Sequence, residues 1–268
     1  MLVLFLLLFL SLLNNIVLFI HRLISFFVTY FFHTALAASL LYFNTQIIRG
    51  FIPNTFICTF IFLAVLGIYN YSNINNINDN FRRKITLFSI IFLFILSFFN
   101  ADIVVENILE IILNSVFVFV YILPFKILKL RNIHYLKIFI LSTAWAISSI
   151  FGNDLTNQLT VFTCILNFIF IFSISLPFDM RDMEADGMKT IPKSFGVAKT
   201  TRFSMILFFC FAIIQFQLTQ NALVFFLIVI VGLPYIYLSK TYYQNKYYLA
   251  GLELLIPFNT ILLMCFYN

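Results

Sequence analysis

Past the middle of the chain, a hydrophobic stretch ends in Phe178-Asp179-Met180-Arg181-Asp182-Met183-Glu184-Ala185-Asp186-Gly187. In a helix continued to Asp186, residues Asp179, Asp182 and Asp186 stand at i, i+3 and i+7. At roughly 100° per residue they share one face within about 60°, and Glu184 points elsewhere. Three carboxylates on one face repel one another and stay ionised together only around something positive. A hard divalent cation held by oxygen is the simplest such partner. Mg²⁺ in particular takes a few carboxylates, water and the phosphate oxygens of a substrate. Ionisable residues at membrane depth mark a functional site. The competing reading is a solvated loop of mixed charge just outside a membrane.

Other chemistries find little support. Cys58, Cys164, Cys210 and Cys265 stand singly in apolar runs, with no metal-ligand or redox spacing, and read as small buried hydrophobes. His21, His33 and His134 are isolated, and His33 reads as a packed or cavity-lining polar residue. Trp145 reads as packing, with a place lining a cavity as the alternative. Asn44, Gln46, Asn167 and Gln215 interrupt apolar runs and suit hydrogen bonds between helices. For Glu253, a place in a cavity, a pair with Lys246 and a place at the interface are all open.

The elements that must position the aspartates are set by composition. The chain has 268 residues, is 63% hydrophobic and 10% charged, and has a mean hydropathy of +1.05. A soluble domain carries roughly a quarter charged residues, so the solvent here must be mostly lipid. Spans are then helices or closed barrels, because backbone groups in hydrocarbon must pair internally. The apolar runs are long and continuous, unlike the short alternating strands of a barrel. They fall at about 1–20, 24–48, 52–71, 85–100, 103–123, 136–151, 158–178, 203–219, 221–239 and 249–267. The expectation is an all-α, polytopic transmembrane helical bundle of about nine spans over residues 24–268, as one membrane domain. Residues 1–23 form an extra apolar segment. It has no basic residue ahead of it and no small-residue cleavage site behind it, which argues against a cleaved signal peptide. An added span, a helix in the interface and an over-extended start remain open for it.

Basic residues sort by loop when the nine later runs are numbered from residue 24. Arg82, Arg83 and Lys84 fall in the 2–3 loop, and Lys126, Lys129, Arg131 and Lys137 in the 4–5 loop. Arg181, Lys189, Lys193, Lys199 and Arg202 fall in the 6–7 loop, and Lys240 and Lys246 in the 8–9 loop. Of the remaining two, Arg22 lies on the same side and Arg49 on the other. The positive-inside rule makes the basic side cytoplasmic and the protein a multi-pass protein of the cell membrane. The net charge of +6 is therefore explained by topology; no basic stripe suits nucleic acid.

The aspartate stretch, followed by Lys189-Thr-Ile-Pro-Lys-Ser-Phe-Gly196, resembles the second aspartate-rich motif of the UbiA superfamily of intramembrane prenyltransferases. Tyr121-Ile-Leu-Pro-Phe-Lys126-Ile-Leu-Lys129-Leu-Arg131 is similar to the family's basic loop facing the diphosphate. The resemblance extends over residues 24–268. It implies a bundle around a central cavity, with active-site loops 2–3 and 6–7 on the cytoplasmic side. It also implies Mg²⁺-dependent transfer of a prenyl group from a prenyl diphosphate to a lipophilic acceptor, an aromatic ring or quinone precursor among them. Asp179, Asp182 and Asp186 would hold the metal and carry catalysis. Arg82, Tyr121, Lys126, Lys129, Arg131 and Lys189 would hold the diphosphate.

The family's first motif, Asn-Asp-x-x-Asp-x-x-x-Asp at the end of span two, is not matched. This chain reads Tyr69-Asn70-Tyr71-Ser72-Asn73-Ile74-Asn75-Asn76-Ile77-Asn78-Asp79, and no register brings an aspartate into place. Asn70 and Asn73 would stand in with carbonyl oxygens and no charge. Two functions follow: transfer with a single carboxylate motif, or a degenerate protein that binds isoprenoid lipid without turnover. A transporter is disfavoured, since no inverted repeat is visible and charges sit at span ends.

Overall fold

The computed structural model describes residues 2–74, 79–122, 136–154, 156–183 and 190–267, with backbone alone at 2–15, 118–122 and 246–247. Among these residues every regular element is a helix, in the order α1 (Leu2–Thr29), α2 (Phe32–Ile48), α3 (Thr55–Ser72), α4 (Asn80–Phe99), α5 (Ala101–Glu106), α6 (Ile108–Ile122), α7 (Leu136–Ser148), α8 (Gln158–Asp182), α9 (Ile191–Phe195), α10 (Val197–Thr219), α11 (Ala222–Tyr242), α12 (Lys246–Glu253) and α13 (Leu255–Phe266). The protein is an all-helical, multi-pass membrane bundle.

Nine full-length spans are not reached among the described residues. Five stretches are long and apolar enough to cross: α3, α8, α10, α11 and Tyr248–Phe266, while Ile16–Thr29 with α2 makes a sixth only as a pair bent by 68°. A crossing takes about 20 apolar residues. The helices α6 and α7 have 15 and 13, and α4 opens on Arg82-Arg83-Lys84. The first break also differs from expectation. The helix α1 runs straight through His21-Arg22, and the chain turns at Tyr30–Phe31 instead, where Phe31 takes a left-handed φ of 59°.

Asparagines start several helices. Asn54, Asn157 and Asn221 each accept a hydrogen bond from a backbone N–H in the first turn of α3, α8 and α11. Such caps satisfy donors that a helix cannot pair internally.

The helix α8 is the central post, packed between α7 and α10. Phe170 stacks on Phe211 at 4.1 Å between centroids, with Phe208 edge-on at 5.9 Å. Asn167 donates to Thr45 Oγ1 at 2.7 Å and to Ser149 Oγ at 2.8 Å, tying α8 to α2 and to the end of α7. Gln215 donates to Asn259 at 2.8 Å, joining α10 to α13. Both amides thus make the interhelical bonds their positions suggest. Pro177 lies inside α8 and cannot donate to the carbonyl four residues back. That carbonyl, Ser173 O, accepts from Ser204 Oγ of α10 at 2.6 Å. The last turn of α8, which carries Asp179 and Asp182, is therefore pinned from the side. Small residues bring α3 and α4 together, since a Cβ on Gly67 would stand 3.1 Å from Ser89 Cβ. The outer face of α4 presents exposed Phe88, Phe94 and Phe98, a surface suited to lipid.

Candidate active site

Helix ends converge on one cavity of about 530 Å³. The C-terminal turns of α1, α3 and α8, the N-terminal turns of α2, α4 and α7, and the end of α12 all contribute to its lining. Of the basic residues that the sequence assigns to one side, Arg82, Lys137 and Arg181 line this single space.

Asp179 and Asp182 both line it, on the face of α8 that also presents Ile171, Ile174, Ser175 and Phe178. The helix ends at Asp182, so their i, i+3 relation is helical. Asp179 is buried, 4% exposed. Asp182 accepts from Lys137 Nζ at 3.1 Å on one oxygen and from Arg181 Nε at 2.7 Å on the other. These cations, rather than a third carboxylate, are what the described structure places against it. Asp186 and Lys189 lie outside the described residues, as do Lys126, Lys129 and Arg131. Tyr121 falls in the last turn of α6, its side chain outside them too. Among the described residues no three His, Cys, Asp or Glu side chains gather as a metal set.

The two asparagines of the altered first motif part company. Asn73 caps the end of α3 and lines the cavity, as do the aspartates. Asn70 does not line it. Fully buried, it donates to Tyr30 O at 2.8 Å and Leu66 O at 2.9 Å, so it serves the α1–α2 turn. Helical phase does not separate them, since i and i+3 lie within about 60°. Asn73 stands at the C-cap, just past α3, while the Asn70 side chain is held by the Tyr30 and Leu66 carbonyls.

Arg82 lines the cavity as expected of a diphosphate ligand. It also clasps the turn. Nε pairs with Asp79 at 2.9 Å, Nη2 donates to Thr29 O at 3.0 Å, and the guanidinium lies 5.5 Å from the Tyr30 and Phe31 ring centroids. Its buried Nη1 makes no hydrogen bond among the described residues.

Sequence reasoning left several lining residues out of the site. Lys137 and Arg181 figured only in the charge tally, although each touches Asp182. Trp145, read as packing, forms part of an apolar wall with Ile138, Ile140, Leu141, Ile171 and Ile174. Glu253, whose place was open, lines the cavity against His33, with Oε2 3.3 Å from His33 Nε2. Thr34 donates to the same oxygen at 2.7 Å. The usable signal was that His33 and Glu253 are rare ionisable residues inside apolar runs.

Chemically, the cavity offers hard carboxylate oxygens and three cations, Arg82, Lys137 and Arg181, at one end and an apolar wall beside them. That pairing suits a ligand with an anionic head and a hydrocarbon body.

Neither a protein-family model nor a curated protein sequence matches the chain. A solved structure of digeranylgeranylglyceryl phosphate synthase, a protein of membranes, is similar to it with a TM-score of 0.55 and 15% sequence identity, over 92% of this chain and 99% of that one. At that identity the likeness is one of fold: the chain has the membrane helical-bundle architecture of that synthase.

Proposed function

We propose that this protein is a UbiA-type intramembrane prenyltransferase, moving a prenyl group from a prenyl diphosphate to a lipophilic acceptor. The observation that carries the reading is the cavity itself, in which the charged ends of α4, α7 and α8 meet an apolar wall of α7 and α8. The fold it shares with a synthase of a prenylated glyceryl phosphate supports prenyl transfer in general and leaves the acceptor open.

In this reading the diphosphate lies among Arg82, Lys137 and Arg181, with Lys126, Lys129, Arg131, Lys189 and Tyr121 as further candidates. Asp179 and Asp182, with the Asn73 side-chain carbonyl in the same lining, offer hard oxygen donors of the kind that suit Mg²⁺. Asp186 would complete it. When bound, Mg²⁺ neutralises charge developing on the diphosphate oxygens. The basic side chains orient the diphosphate so that its allylic C–O bond faces the apolar wall. Trp145, Ile171 and Ile174 line the prenyl chain and keep water from the allylic cation. The positive-inside distribution supports a cavity mouth on the cytoplasmic side of the cell membrane.

A second reading has one observation in its favour. Both oxygens of Asp182 are held by cations, and Asn70 is turned to backbone, which suits a protein that binds isoprenoid lipid without turnover. Purified protein incubated with Mg²⁺, labelled prenyl diphosphates of several lengths and phenolic or lipid acceptors decides between them. Release of pyrophosphate with a prenylated product is expected. Lipid retained from native extracts with no release for any pair would overturn transfer and leave binding.

A further inference from the structure

The proposed transfer uses the charged side of the cavity and its apolar wall. It leaves unused a second polar cluster lining the same space. His33 and Thr34, on the first turn of α2, meet Glu253, the last residue of α12, and both His33 and Glu253 have side chains only 13% exposed.

Their hydrogen bonds limit how many protons the cluster carries. His33 Nδ1 lies 3.2 Å from Phe27 O. A carbonyl only accepts, so Nδ1 holds a proton. His33 Nε2 lies 3.3 Å from Glu253 Oε2, and Thr34 Oγ1 donates to that same oxygen. The contact between Nε2 and Oε2 therefore holds one proton or none. With one, the pair is neutral overall. With none, a carboxylate faces a lone pair in a poorly solvated space, and the cluster can accept a hydrogen bond from a donor brought to it. Both described contacts fall on Oε2, so Oε1 is the oxygen left to an incoming group. A carboxylate in such a place costs several kcal/mol unless it finds partners, and a bound hydroxyl is a partner of the right polarity.

We propose that His33, Thr34 and Glu253 form a subsite for a hydroxyl-bearing acceptor, an alcohol or phenol, and take its proton during transfer. The proposal rests on the prenyl-transfer reading for its chemistry and not for its binding. In the step, a lone pair on the acceptor oxygen forms the bond to the allylic carbon. The bond from that carbon to the diphosphate oxygen breaks, and the electron pair leaves on the diphosphate. The hydroxyl proton passes to the His33–Glu253 pair, which becomes neutral. It then returns to water through the cavity mouth.

Trp145 is the sole tryptophan and lines the cavity, so its fluorescence reports occupancy directly. The full-length protein in detergent is titrated with 4-nonylphenol, with its methyl ether 4-nonylanisole, and with farnesyl diphosphate. The wild type is expected to favour the phenol over the ether by about tenfold, the worth of one hydrogen bond to a charged group. Glu253→Gln and His33→Gln are each expected to lower prenylation of the phenol by about a hundredfold or more, the range of a lost general base. Farnesyl diphosphate titrations on the same preparations serve as proof of folding. Equal binding of phenol and ether by the wild type overturns the proposal, as does undiminished prenylation in both variants. If the phenol is preferred but farnesyl diphosphate is neither bound nor cleaved, the transferase reading falls and the hydroxyl subsite stands.

Discussion

Asp182 is placed to act in opposite directions with and without metal. Its two oxygens hold Lys137 and Arg181, whose side chains are 20% and 40% exposed. Contacts of that exposure are worth up to about 1 kcal/mol each. A diphosphate arriving without metal must draw both cations away from Asp182 and lie beside its negative charge. Asp182→Asn removes that competition while keeping size and an acceptor for Arg181. In chelator, farnesyl diphosphate should therefore bind the variant more tightly, by up to about 2 kcal/mol or roughly 25-fold. In excess Mg²⁺ the variant lacks one anionic ligand, and a lost charged contact of about 1.5–3 kcal/mol should weaken binding by about 10- to 150-fold. Titrations followed by Trp145 fluorescence under both conditions measure the sign directly. Tightening under both would mean that Asp182 only restrains the cations and holds no metal. Weakening under both would mean that it positions Lys137 and Arg181 for the phosphates, and the competition argument would be refuted.

Two predictions concern the frame around the site. Asn167→Leu removes both bonds that tie α8 to Thr45 and Ser149, so thermal unfolding in detergent should show a loss of about 1–2 kcal/mol; an unchanged midpoint would show that the bridge is energetically idle. At the other end of the bundle, the backbone N–H of Thr156, then its hydroxyl, then the charge of Arg49 hold the Asp154 carboxyl below its usual range. Because the folded value is depressed, its contribution is present above the ordinary carboxylate value and fades as pH falls below it. A carboxyl NMR titration should place the midpoint below that value, with Thr156→Val moving it part of the way back; an ordinary midpoint in the wild type would refute the assignment.

The helical class followed from the apolar runs because hydrocarbon admits so few backbone solutions. Span count was harder. The apolar content of α6 and α7 reads as crossing, but their lengths depend on where loops begin, which a hydropathy run does not mark. The left-handed turn at Phe31 carries neither glycine nor proline, so no local signal announced it. The face shared by Asp179 and Asp182 was legible because i, i+3 spacing is a property of one helix. Lys137 and Glu253 were not, since each reaches the cavity from a different helix and only packing brings them there. The split between Asn70 and Asn73 was not legible either: their spacing suits one face, but α3 ends between them, and only packing brings the Tyr30 carbonyl to Asn70.

The elbow at Tyr30–Phe31 has a consequence for the surrounding lipid. If α2 stands along the membrane normal, a 68° bend leaves α1 about 22° from the membrane plane. A helix of 28 residues at about 1.5 Å per residue is some 42 Å long. Lying that flat, it remains within one monolayer, on the side where Thr29 and Val28 border the cavity. The protein then displaces more lipid from one monolayer than from the other. An amphiphile diffusing toward the cavity along that monolayer would then meet α1 beside the mouth.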